Sequence, residues 1–122
     1  MAKDKPEDIK DRTFRFALTI ISLVEALPNT TSAKTIGKQI IRSGTSIGAN
    51  VEEATAAHSK ADFIYRMNMA LREARETLYW LRLLEASQIS ETKIAAEILQ
   101  EADEITRILG AIVSSARGKR KT

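Results

Sequence analysis

Apolar residues recur along this chain at spacings of three and four, in four blocks separated by short polar stretches. That period predicts helices, placed over about residues 6–27, 32–57, 60–86 and 90–115. Pro6 suits the first turn of the first helix, where its missing N–H costs nothing, and Pro28 with Asn29, Thr30 and Thr31 stops it. Ser32 is the expected N-cap of the second helix. Ser59 opens the third, with Asp62 three residues on in a near capping box, and Ser90 opens the fourth, with Ile89 and Ile94 spaced as a hydrophobic staple.

Three of the blocks have a clear core stripe. In the second helix it is Ile36, Ile40, Gly44, Ile47, Val51 and Ala54; in the third Ile64, Met67, Leu71, Ala74, Leu78 and Leu81; in the fourth Ile94, Ile98, Ala102, Ile105, Leu109 and Ile112. Gly44 and Gly48 stand one turn apart. Each costs up to ~1 kcal/mol relative to alanine inside a helix, so close approach of a neighbouring helix is expected there.

The first helix is apolar over about 200° of its circumference, twice what one core-facing side needs. One stripe is Phe14, Ala17, Leu18, Ile21 and Val24; an adjoining one is Phe16, Ile20, Leu23 and Leu27. The third helix carries a second row at Tyr65, Met69, Arg72, Glu76, Tyr79 and Leu83, in which Arg72 and Glu76 are spaced to pair. Short loops between long helices force antiparallel neighbours. The predicted fold is therefore all-α: an antiparallel up-down-up-down four-helix bundle, one domain over residues 1–116, with a basic tail at 117–122. A four-helix monomer has no central helix, so the surplus stripes predict a homo-oligomer. Phe16, Ile20, Leu23, Tyr65, Met69, Arg72, Glu76 and Leu83 are the expected subunit contacts.

Charge adds one further candidate. The formal net charge is +3, and removing the four cations Arg117, Lys119, Arg120 and Lys121 leaves the remainder at −1. Such a tail can hold phosphate backbones or serve as a solvated terminus. Lys34, Lys38 and Arg42 recur one turn apart on the second helix and extend a possible RNA or DNA contact, although Glu52, Glu53, Glu73 and Glu76 are interspersed. There is no cysteine, which excludes disulfides, thiolate metal sites and a cysteine nucleophile. The charged N-terminus is unlike a signal peptide, and no apolar run approaches the ~20 residues of a membrane span. The cytoplasm is the expected compartment.

No catalytic set emerges. His58 is the only histidine and lies at a helix junction. The Glu-x-x-His element of di-metal bundles is missing, as are the lysine and strand context of a phosphate-binding loop around Gly44–Gly48. No enzyme activity, cofactor, metal or small-molecule substrate is expected.

The stretch Arg42-Ser43-Gly44-Thr45-Ser46-Ile47-Gly48-Ala49-Asn50-Val51-Glu52-Glu53-Ala54, with Lys60–Ile64 and Ala70–Leu84 after it, resembles the four helix bundle protein family. Its members are also described as proteins encoded in intervening sequences of bacterial large-subunit ribosomal RNA genes. Many relatives have Pro at the position of Gly48, Gly at Ala54 and a small pair at Arg72-Glu73. The resemblance implies a bundle assembled into a ring-like homo-oligomer, often a pentamer. It is also related to accessory proteins of diversity-generating retroelements, which bind a reverse transcriptase and nucleic acid through a basic surface. It implies no catalytic residues.

Overall fold

The computed structural model describes residues 6–118, and side chains from Ile9 onward. Four helices follow one another: α1 (Pro6–Glu25), α2 (Thr31–Thr55), α3 (Lys60–Ser87) and α4 (Thr92–Ala116). Each packs on its neighbour in sequence, and α4 returns to pack on α1; the backbones of the diagonal pairs α1/α3 and α2/α4 do not approach closely among the described residues. Neighbours run antiparallel. Lys10 near the start of α1 lies 3.5 Å from Glu52 near the end of α2, and Val24 and Leu27 at the other end of α1 meet Gly37. The fold is the all-α four-helix bundle that the periodicity predicts.

Local chemistry sets the helix ends. The Asp62 N–H donates to Ser59 Oγ at 3.1 Å, so Ser59 caps α3 as expected. α2 instead starts one residue early. Thr30 is extended and its hydroxyl accepts from the Ala33 N–H at 3.2 Å, whereas Ser32 is already inside the helix and cannot cap it. α4 begins two residues after Ser90, at an N-cap Glu91 whose side chain makes no capping bond.

The core stripes of α2, α3 and α4 run along the bundle axis, with Ile40, Ile47, Met67, Leu81, Ile105 and Leu109 fully enclosed; Ile94, expected at the head of the α4 stripe, is instead exposed in the first turn of that helix. On α1 the expected roles of the two stripes are exchanged. Phe16, Ile20 and Leu23 are 2%, 0% and 5% exposed and belong to the chain's own core. They are not on a surface that a second subunit can reach. Phe14, Leu18 and Ile21 face outward instead, at 61%, 52% and 41%. The reason is the length of each stripe. The buried one extends through Ile9 and Thr13 to Leu27, in steps of four and three that keep it on the bundle axis.

Gly44 and Gly48 let α1 approach α2 closely. A Cβ at Gly44 would lie 2.9 Å from Ile20 Cγ1, and one at Gly48 would lie 3.3 Å from the Thr13 carbonyl oxygen. Between α2 and α3 the buried polar contact is a hydroxyl pair, Thr77 Oγ1 to Ser43 Oγ at 2.9 Å. Both hydroxyls also lie within reach of carbonyls one turn back, Gln39 O and Glu73 O. Each hydroxyl has one proton, so the pair shares two donors among three acceptors and leaves no buried donor unpaired.

Between α1 and α4 the polar contact is Arg12. Its guanidinium donates to both oxygens of Glu101, at 2.7 and 2.8 Å, and to Glu104 at 2.5 Å. The hydrogen bond to Glu101 raises the Arg12 pKa, against a smaller opposing effect of burial. No helix among the described residues is long and apolar enough to cross a membrane.

Candidate assembly surfaces

Two outward apolar surfaces stand on α1 and α3, which lie across the bundle diagonal from each other. The first is the α1 ridge of Phe14, Leu18 and Ile21. Their spacing of four and three puts them on one line along the helix. Large side chains this wet are the informative exception in a small domain.

The second surface is the outer face of α3. Tyr65, Tyr79 and Leu83 are 57%, 53% and 37% exposed, Arg72 is exposed, and Met69 is half-buried. Beside the C-terminal half of this row, α3 and α4 part to leave a groove of about 710 Å³, whose apolar floor includes Leu78, Tyr79, Leu83, Ala96 and Leu99. Arg82, Glu85, Gln100 and Asp103 form its rim. Asp103 is already held by Arg107, whose Nε donates to it at 2.9 Å. That bond raises the Arg107 pKa.

Arg72 and Glu76 do not pair as their spacing suggests. Glu76 takes the guanidinium of Arg42 from α2 and a hydrogen bond from Trp80 Nε1 at 3.0 Å. Arg42 also lies 3.5 Å from Glu73, and its Nη2 donates to Gln39 Oε1 at 3.2 Å. The consequence for Arg42 is direct. Expected as a phosphate contact, it is instead neutralised by two carboxylates and bridges α2 to α3. The signal that could reveal this is the alignment of α2 and α3 set by the Ser43–Thr77 pair, which a single sequence does not display.

Lys34 and Lys38 are exposed and share a cleft of about 350 Å³ with Leu27, Pro28, Asn29 and Ile41, between the end of α1 and the start of α2. Neither pairs with a carboxylate among the described residues. Arg117 is the C-cap of α4 and shares a second cleft with Arg75, Asn68 and Ser114. Lys119, Arg120 and Lys121 lie outside the described residues. His58 is exposed in the α2–α3 loop. No group of three or more His, Cys, Asp or Glu side chains placed to hold a metal occurs among the described residues.

The model of the family described as "23S rRNA-intervening sequence protein" matches residues 6–111, nearly the whole bundle. The chain belongs to that family. A solved structure agrees: a protein of unknown function from the S23 ribosomal protein family of Bacteroides thetaiotaomicron is 41% identical, with a TM-score of 0.83 over 89% of this chain and 97% of that one. The family resemblance read from Arg42–Ala54 and the stretches after it is thereby confirmed. No curated protein matches the chain.

Proposed function

We propose that this family member is a non-catalytic assembly module, a homo-oligomer whose subunits meet through the outer faces of α1 and α3. The observation that carries this reading is the pair of wet apolar surfaces on helices separated by the bundle diagonal. Exposed aromatic and aliphatic patches of this kind mark contact surfaces. The outward row Tyr65, Met69 and Leu83 retains the contact role expected of it, and Phe14, Leu18 and Ile21 take the role expected of Phe16, Ile20 and Leu23. Closed rings follow when one surface of each copy meets a different surface of the next, and five chains is the favoured number. The test is solution mass by light scattering at low and high salt. A salt-resistant mass of about five chains is expected, and a monomer overturns the proposal.

A second reading has its own observation in the unpaired Lys34 and Lys38. An oligomer repeats their cleft once per subunit, so weak contacts with RNA or DNA phosphates gain from multivalency. This reading no longer includes Arg42. It predicts affinity for a single-stranded RNA or DNA probe that falls steeply with salt and weakens when residues 117–122 are removed. Salt-insensitive or absent binding rejects it.

A further inference from the structure

The geometry points to a specific contact, resting on the assembly reading above: the α1 ridge of one copy seats in the α3/α4 groove of the next, head to tail. Shape is the first argument. The ridge is a convex line of three side chains, Phe14, Leu18 and Ile21, and the groove is a concavity of about 710 Å³ with an apolar floor. Like surfaces do not complement each other here. Two ridges meet only at their crests, and two grooves face each other across empty space. Ridge into groove is the arrangement that excludes water from both.

Charge is the second argument. The ridge continues to Asp11 at one end and Glu25 at the other, again in steps of three and four, so both acids lie on the same outward line. Both are exposed, and neither pairs with a cation among the described residues. The facing side of α3 carries Arg72, Arg75 and Arg82, exposed and equally without carboxylate partners among the described residues. Elsewhere the cations Arg12, Arg42 and Arg107 are all paired within the chain. Arg15 stands off the ridge line, and Glu85 is the groove's one acid not held by a cation among the described residues. The surplus is therefore acidic on the ridge and basic along the outer side of α3, where Arg82 stands on the groove rim and Arg72 and Arg75 lie on the helix before it. That arrangement orients an encounter of ridge with groove and opposes ridge with ridge.

Topology is the third. Because α1 and α3 occupy opposite corners of the bundle, one neighbour cannot cover both surfaces. Each docking leaves one ridge and one groove free, and the assembly grows until it closes.

Full-length Leu18→Asp and Leu83→Asp variants test this, each checked for wild-type helical circular dichroism. Should either lose that signal, Leu18→Ser or Leu83→Ser replaces it. Each variant alone is expected to run as a monomer by light scattering, while an equimolar mixture at high micromolar concentration gives a dimer of one ridge-dead and one groove-dead chain. In that dimer the intact ridge of the Leu83 variant fills the intact groove of the Leu18 variant. Two folded monomers that do not combine would overturn the pairing, and so would a single variant that dimerises by itself, the sign of a surface that meets its own copy. A variant that keeps the wild-type mass would remove its surface from the contact. A monomeric wild type would instead overturn the assembly reading itself.

Discussion

The close approach of α1 to α2 can be measured by adding one carbon atom. In Gly44→Ala the new Cβ would stand 2.9 Å from Ile20 Cγ1, 3.1 Å from Cγ2 and 3.4 Å from Cβ. Ile20 is fully buried, and the contact is with the base of its side chain, not its flexible tip, so relief requires moving α1. Two effects compete. Alanine gains up to ~1 kcal/mol over glycine in a helix interior. Forcing a methyl group into a packed core costs about 1–3 kcal/mol. The overlap decides the sign, and a net loss of about 0.5–2 kcal/mol is expected. Gly110 supplies the control, since a Cβ there meets nothing within 4 Å. Gly110→Ala then shows the propensity gain alone, about 0.5–1 kcal/mol. Urea unfolding followed by circular dichroism, at one fixed protein concentration, reads both variants. Adding Ile20→Ala to Gly44→Ala removes both Cγ atoms, so the alanine should become favourable in that background and the cycle should show a coupling of about 0.5–3 kcal/mol. If Gly44→Ala stabilises as much as Gly110→Ala, the two helices do not approach as described and the reasoning fails.

Further expectations follow from the exchanged stripes and the polar contacts. Phe16→Ala should cost about 3–5 kcal/mol in chemical unfolding, whereas Phe14→Ala should leave subunit folding nearly unchanged and lower the assembled fraction seen by light scattering. Thr77→Val should lose about 0.5–1.5 kcal/mol, since it removes one hydroxyl from the Ser43 pair and leaves Ser43 its carbonyl acceptor. Arg12→Ala should cost about 1–2 kcal/mol at low ionic strength and less in high salt, because it leaves Glu101 and Glu104 facing each other without their shared cation. An equal cost at both ionic strengths would show that the loss is packing rather than charge.

The sequence made α2, α3 and α4 readable because each has one dominant stripe with polar residues opposite. Gly44 and Gly48 also announced a close neighbour, and α1 is that neighbour. The α1 helix was harder because both of its stripes are equally oily. Only the run from Ile9 to Leu27 separates the core stripe from the outward one, which breaks into acids at Asp11 and Glu25. The α3 row was visible as a surplus of aromatics. The partner of Arg42 was not, since ion pairs between helices depend on axial alignment, and the 31-residue and 34-residue separations to Glu73 and Glu76 carry no local signature. Near positions such as Arg72 and Glu76 looked paired because spacing alone ignores competitors on other helices.

The meeting of α1 with α4 has a kinetic consequence. It joins the two helices most distant in sequence, and a cleft of about 390 Å³ bounded by Ser22, Ala26, Ile89 and Ile94 occupies the end of that interface away from Arg12. Its loop-closure entropy is the largest of the four contacts. The α2–α3 and α3–α4 hairpins have equally short connections, close at less entropic cost and supply the template on which α1 settles. Closure of α1 against α4 is therefore expected to come last in folding and to reverse first. Amide hydrogen exchange should show α1 and the first turns of α4 opening at lower free energy than the middle of α2 and α3, and uniform protection of all four helices would contradict this order.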